Sequence, residues 1–552
     1  MSAHEGETPI RFGVMADDHS VSDWQMLCIE ELMKLDDVEL TLLIVNSSEK
    51  NVTLSRILKA GLDTATLEAY YRIAGFKAGK QRELNLHGEV PTLECGVVTK
   101  RKFSQYFLDE DISKIRSYGL DFILRFGFGI IRGDVLSAAR YGVWSYHHGD
   151  EEKYRGGPPG YWEIYKGDPV NGVILQRLTN RLDGGVILRK GYFPTNFDSY
   201  RNHRDYIYYG AAGWAAQVVK DIRNGTAGYL NDSASKTEAP IYRAPSPIQL
   251  AGMVAKTRLH QLKRLMSPQQ QWSIGVVHDG IGSFVDASYS PEVHWYSIES
   301  DRFLADPFGV ETDEGLRIFV EDFSFRDMKQ RISCLSYCDG VFSQPVICFD
   351  PPYNVAYPFI VQHRDSVYCI PETMHGNHVT LYRVLEGGEF RKEHVLLEGV
   401  RGVDPTVIRF NNKWWLFLTI NQKGSTHDLY IFYSDDLFGP WVEHHNNPVK
   451  TDVRSARSAG TPFVSDGRLY RPSMDCSIGY GYRIVLNRVD KLSETEFHET
   501  PVRAVSPDGE FPEGRHTLSS AGSYALIDGH QNIRNRYYFR NRLREVRQHL
   551  SS

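Results

Sequence analysis

Between Gly142 and Leu188 the chain reads GVWSYHHGDEEKYRGGPPGYWEIYKGDPVNGVILQRLTNRLDGGVIL, a stretch rich in the residue types that proton transfer requires. An imidazole, His147, closes an apolar run, and a carboxylate, Asp183, stands before two glycines. A His and an Asp on neighbouring sheet edges can form an oriented general-base pair. Ser145 precedes His147 on the same run. Arg155 is read as a substrate contact or as a holder of its loop, and His148 as a substrate contact. A metal reading of His147, His148 and Asp150 is disfavoured, because adjacent strand residues point to opposite faces; no metal is expected. A second polar set lies downstream. Asp306 and Asp404 each precede a proline and Glu372 follows one; with Arg457 and Asp475 they are candidates for a substrate-contacting cleft. Asp-Pro pairs that merely cap turns are an equal alternative account of the first two.

Bringing His147 and Asp183 together requires an alternating α/β sheet. Ile10–Met15 and Leu40–Val45 are apolar runs of the kind that form strands, the second covered on both faces. Asp23–Leu35 carries Trp24, Leu27, Cys28 and Leu32 at helical spacing. Phe103–Tyr118 predicts a charged amphipathic helix, Phe122–Phe126 a strand, the segment near Gly133–Ala139 a helix, and Gly142–Ser145 a strand. A helix at Tyr161–Tyr165 and a strand at Gly172–Leu175 follow. This order predicts a parallel sheet with right-handed crossovers, its ligands at the carboxyl ends of the strands. The glycines after Asp183 suit a close approach of backbone to ligand. Asp17-Asp18-His19-Ser20 follows the first strand in place of a glycine-rich dinucleotide fingerprint, which argues against NAD.

Residues 226–270 read as a connector with a basic helix near Pro247–Met266, separating a domain at 1–225 from one at 271–552. The second half has a β rhythm. Ala305-Asp306-Pro307-Phe308, Ala356-Tyr357-Pro358-Phe359, Val403-Asp404-Pro405-Thr406 and Gly460-Thr461-Pro462-Phe463 recur about every 50 residues. Each precedes a strand–turn–strand pattern, with turns at Thr312–Gly315, His363–Ser366, Asn411–Lys413 and Ser465–Gly467. Trp272–Val277 and Ser519–Asp528 supply outer pieces, so an all-β five-bladed propeller is expected.

Ser145-Tyr146-His147, Tyr154-Arg155-Gly156, Gly172-Val173-Ile174 and Leu182-Asp183-Gly184-Gly185 stand in the order and separation found in the formyltransferase family that uses 10-formyltetrahydrofolate. Residues 10–215 resemble that family. The resemblance implies a Rossmann-like α/β fold, with His147 and Asp183 catalytic and the loop Phe126, Gly127, Phe128 and Gly129 facing 10-formyltetrahydrofolate. Ser145 replaces the family's asparagine, which donates to the oxyanion; losing such a donor costs about 10²–10³ in rate. In the second half, Leu429–Trp441, Arg457–Phe463, Leu469-Tyr470-Arg471 and Tyr368–Thr373 are similar to the propeller-like domain of plant glucosamine inositolphosphorylceramide transferases, itself related to glycoside-hydrolase propellers. That implies a carbohydrate-handling module; Trp414 and Trp415 are read as core.

Composition narrows the function classes. The 552 residues carry 63 Lys+Arg against 69 Asp+Glu, a net charge of −6, which disfavours a nucleic-acid partner. No apolar run is long enough to span a membrane, and MSAHEGETPI lacks the features of a signal peptide. Seven scattered cysteines read as reduced thiols in the cytoplasm. The expected activity is N-formylation of a small-molecule amine, an amino sugar or sugar-containing precursor, with homo-oligomerisation left open. Two alternatives stand beside it: the same fold using another acyl donor or hydrolysing a formyl group, and a carbohydrate-binding or glycosidase-like propeller with an inactive first domain.

Overall fold

The computed structural model describes residues 9–48, 54–84, 90–100, 104–373, 376–421 and 427–551. The chain divides into two compact units, Met1–Lys263 and Arg264–Ser552. Residues 1–8, most of the N-terminal stretch weighed as a signal peptide, lie outside the described residues.

The first unit is built on seven strands: β1 (Ile10–Ala16), β2 (Val38–Asn46), β3 (Thr92–Cys95), β4 (Phe122–Arg125), β5 (Val143–His147), β6 (Val170–Arg177) and β7 (Val186–Pro194). Their order across the sheet is β7-β6-β5-β4-β1-β2-β3. The five strands β5-β4-β1-β2-β3 pair in parallel. Side chains of β1 alternate between the two sheet faces: Phe12, Val14 and Ala16 join the core on one side, Met15 that on the other. The expectation of a wholly parallel sheet is corrected at one edge, where β6 runs antiparallel to β5 and β7 to β6. Antiparallel neighbours need no crossover helix, so the short segment between β6 and β7, which holds Asp183, acts as a hairpin loop.

Two helix expectations change. Ser104–Phe107 is a strand, pairing with Val97–Lys100 and Ile130–Ile131; only Asp109–Ser117 is helical, and Phe103 lies outside the described residues. Near Gly133–Ala139 the chain makes a single 3₁₀ turn, Asp134–Ser137. Helix Asp23–Met33 begins with the Ser22 N–H donating to the Gln25 side chain at 2.8 Å, half of a capping box that fixes Trp24 beside the sheet.

The second unit contains five antiparallel sheets. The first pairs Gln269–Val277 with Tyr524–Ile533, joining the beginning and end of the unit. The others start at Arg302, Val355, Gly402 and Phe463, and their hairpin turns fall at the four expected places. The Asp-Pro repeat does not cap turns. It sits inside strands, where the register slips between Ala305 and Phe308, Ala356 and Phe359, and Val403 and Thr406. The residue before each proline is left-handed: Asp306 at φ 50°, Tyr357 at 45° and Asp404 at 49°. Each repeat is thus a bulge, which re-aims the side chain before the proline. The fourth copy departs: Gly460 takes φ 122° and its sheet starts later, at Phe463. The unit is not all-β, since helix Tyr538–Ser551 follows the last long strand.

Candidate functional site

His147 is the last residue of β5. Its Nε2 lies 2.8 Å from the carbonyl oxygen of Tyr154. A carbonyl only accepts, so Nε2 carries the ring hydrogen and Nδ1 the lone pair. Nδ1 faces Asp183 Oδ1 at 3.8 Å, within ion-pair range but beyond a hydrogen bond, leaving the lone pair open. Gly149 permits this arrangement, because a Cβ there would stand 2.9 Å from His147 Nε2. Asp183 has φ 49°, and its Oδ2 accepts from the Gly156 N–H at 2.9 Å. Arg155 does not reach the cavity beside His147. It donates to the carbonyls of Leu182 at 2.7 Å and Ala239 at 3.3 Å, fixing the loop that carries Asp183. The glycines after Asp183 serve the chain itself: a Cβ on Gly185 would lie 2.3 Å from the carbonyl oxygen of Arg177.

Ser145 lies on β5 two residues before His147, hence on the same face. Its Oγ accepts from Arg125 Nη1 at 3.0 Å. Arg125, at the end of β4, also donates from Nη2 to the carbonyls of Phe128 at 3.0 Å and Gly129 at 2.5 Å. Its Nε is buried without a hydrogen-bond partner. Sequence reasoning missed Arg125, although it stands in the quoted strand immediately before Phe126. The glycine-rich loop divides. Phe126 lines the cavity, whereas Phe128 packs inward on Phe107 with 4.8 Å between ring centroids. Gly127 presses on β1, a Cβ there meeting the Asp17 nitrogen at 2.3 Å. Gly129 donates its N–H to Gln105.

The cavity measures about 300 Å³ and is lined by Ser145, His147, Arg125, Phe126, Trp24, Arg204 and Tyr208, among others. A second cavity of about 330 Å³ shares Ser22, Gln25 and Phe126 with it and is lined by Asp17 and Asp18. His148, expected as a substrate contact, lines the same cavity. It stacks on Tyr208 at 3.8 Å, and burial, seconded by the charges of His147 and Arg204, drives its pKa well below the usual histidine value. His147, His148 and Asp150 do not converge on an ion, since Asp150 pairs with Lys190 at 3.0 Å.

In the second unit a cavity of about 360 Å³ is lined by Asp306, Glu372, Asp404 and Arg457, as expected. Asp475 does not line it but pairs with Arg483 at 2.9 Å. Trp414 and Trp415 are buried in the core. Glu321, His516, Tyr480 and Trp272 also line the cavity and were not anticipated. Asp404 is ion-paired with Arg457. Glu372 is buried beside Asp404, and burial and that charge push its carboxyl well above the usual carboxylate range, favouring its protonated form. On the other side His516 Nδ1 meets Asp528 at 2.6 Å and Asp306 at 3.7 Å, and its ring stacks on Trp272 at 3.8 Å. Burial opposes charge on His516, but Asp528 and Asp306 outweigh it and raise the imidazole to about 9. Burial, with the charges of Asp528 and Asp404, raises Asp306 to about 6, and burial raises Glu321 to about 8.

Two clusters could present metal ligands, Asp306-His516-Asp528 and Asp150-Glu151-Glu152. In each a protein cation already fills the place: the His516 imidazolium in the first, and the Lys190 ammonium, 3.0–3.3 Å from all three carboxylates, in the second.

The family model described as "Glucosamine inositolphosphorylceramide transferase 1, N-terminal" matches residues 293–521. Glucosamine inositolphosphorylceramide transferase 1 of Oryza sativa subsp. japonica is 29% identical over 249 residues, 41% of this chain and 33% of its own. The chain therefore spans about a third of that relative. The N-terminal part is similar to formyltransferases: methionyl-tRNA formyltransferase of Agathobacter rectalis is 29% identical over 128 residues, 23% of this chain and 41% of its own. An N-formyltransferase from Helicobacter canadensis, solved with folinic acid and dTDP-3-aminofucose, aligns over 61% of this chain and 100% of its own, at 11% identity and a TM-score of 0.29. The relatives matched in sequence on both sides are transferases.

Proposed function

We propose that the first unit is an N-formyltransferase that moves a formyl group from 10-formyltetrahydrofolate to the amine of an amino sugar or sugar-containing precursor. The observation that carries this reading is the meeting of His147, Ser145 and Arg125 at one cavity, with Asp183 facing the His147 ring. The residues fit the donor: Trp24 and Phe126 offer aromatic walls for its ring system, and the buried Arg125 Nε lacks an acceptor that a bound carbonyl would provide. 10-Formyltetrahydrofolate, when bound, supplies the formyl carbonyl as electrophile. The amine must attack as its free base. His147 Nδ1 takes the proton that nitrogen loses, and Asp183 stabilises the imidazolium so formed. Arg125 places fixed N–H donors where the carbonyl oxygen gains charge, supplying what the missing asparagine would have donated. Ser145 accepts from Arg125, so its own hydroxyl hydrogen remains to donate onward.

The test is transfer of labelled formyl from 10-formyltetrahydrofolate to a panel of amino sugars by the full chain. His147→Ala should abolish transfer, and Arg125→Met should lower kcat by about 10²–10³. No labelled product with any amine, or full activity in His147→Ala, would refute the reading.

For the second unit we propose a five-bladed propeller whose 360 Å³ cavity receives the carbohydrate part of the substrate. The juxtaposition of Trp272 and Tyr480 with a neutral acid, Glu372, and an ionised pair, Asp404–Arg457, suits a ring bearing hydroxyl groups.

A further inference from the structure

We infer that the amine acceptor of the first unit carries an oxyanion, a carboxylate or a phosphate, and that Arg204 holds it. This rests on the formyl transfer proposed at His147 and names the class of molecule that reaction takes.

Arg204 belongs to helix Tyr200–Ala211 and lines the 300 Å³ cavity together with His147. Its guanidinium lies over three rings, 4.4 Å from the centroid of Tyr71, 4.5 Å from that of Phe76 and 5.3 Å from that of Tyr208. Ring faces steady a cation, and the Tyr208 hydroxyl accepts a hydrogen bond from it, but none of these neutral groups supplies a countercharge. Among the described residues no carboxylate lies within ion-pair distance of Arg204, and none that lines the cavity is Asp or Glu. The nearby acids are engaged elsewhere: Asp205 accepts from the N–H groups of Lys77 and Ala78 at 3.1 and 2.9 Å, and Asp23 from Tyr209 at 2.6 Å. Arg125, the other guanidinium of the cavity, is fixed by Ser145, Phe128 and Gly129. A half-buried guanidinium without a countercharge favours any anion that enters its cavity. Its planar fork matches carboxylate and phosphate in two-pronged hydrogen bonding. The cavity therefore offers one fixed guanidinium with no carboxylate partner among the described residues, on the same wall system as the base, which is what a substrate bearing both an amine and an oxyanion needs.

The experiment measures binding to the full chain by calorimetry with three matched amines: glucosamine, which has no anion; muramic acid, which adds a carboxylate; and glucosamine 6-phosphate. Muramic acid or glucosamine 6-phosphate should bind at least tenfold more tightly than glucosamine, and the tighter of the two identifies the source of the oxyanion. Arg204→Gln should erase the advantage, while Arg204→Lys should keep part of it. Equal affinity for all three amines in the wild-type chain overturns the inference, as does an advantage that survives in Arg204→Gln. The wild-type comparison decides even if the glutamine variant does not fold. The two proposals can fail separately. An Arg204-dependent preference without formyl transfer refutes the reaction alone, and equal kcat/KM for formylating glucosamine, muramic acid and glucosamine 6-phosphate refutes this inference alone.

Discussion

Gly149→Ala probes whether the His147 ring is held as described. The added Cβ would stand 2.8 Å from the Tyr154 carbonyl oxygen and 2.9 Å from His147 Nε2, against 3.4–4 Å for ordinary contact. One neighbour must retreat by at least about half an ångström, and the imidazole is freer to do so than the backbone carbonyl. The 2.8 Å hydrogen bond between them then opens. Losing that bond costs about 1 kcal/mol, and crowding of this kind costs about 1–3 kcal/mol. Urea unfolding followed by circular dichroism should therefore show a loss of about 2–4 kcal/mol. The chemical effect should be larger: displacing a reacting group by about 1 Å can cost about 10² in rate, so kcat for formyl transfer should fall by about that factor. Nitrogen NMR of the wild-type imidazole should place the hydrogen on Nε2, with Nδ1 bare. A variant of wild-type stability and activity, or a wild-type ring bearing its hydrogen on Nδ1, would refute the assignment of the basic nitrogen.

The second unit supplies two further tests. Asp404→Asn strands a buried guanidinium and should cost about 3–5 kcal/mol in urea unfolding, whereas Glu372→Gln replaces a protonated acid by a near-isostere and should stay within about 1 kcal/mol. Equal losses in the two variants would contradict the protonation assigned to Glu372. His516 is raised from 6.5 to about 9, so its stabilisation is complete below pH 6.5 and drains away as pH rises through 9, a total of about 3 kcal/mol. Glu321 and Glu163 titrate in the same direction with midpoints near pH 8, so the fall in stability between pH 8 and 9 should shrink markedly, without vanishing, in His516→Gln; an undiminished slope there would refute the imidazolium.

The repeat in the second half was legible because proline removes a backbone donor and a bulge needs a residue before it that tolerates positive φ; Asp306 and Asp404 carry both marks. Their placement at a cavity was anticipated, but the bulge that aims them there was not. His516 gave no local signal: it enters the cavity through the pairing of Gln269–Val277 with Tyr524–Ile533, a contact between opposite ends of the unit. In the first unit, order and spacing identified His147 and Asp183. Arg125 was hidden because a charged residue closing an apolar strand reads as its solvent-exposed end. Ser104–Phe107 was taken for the first turn of a helix because its partners, Val97–Lys100 and Ile130–Ile131, are too short to be recognised on their own.

The sheet made from the unit's first and last long strands has a consequence for biosynthesis. Gln269–Val277 leaves the ribosome long before Tyr524–Ile533 exists, and until then one of its edges waits open. Trp272 rides on the early strand, while His516 lies just ahead of the late one. The hollow that holds Asp306, Glu372 and Asp404 is therefore walled on all sides only after Tyr524–Ile533 has been made.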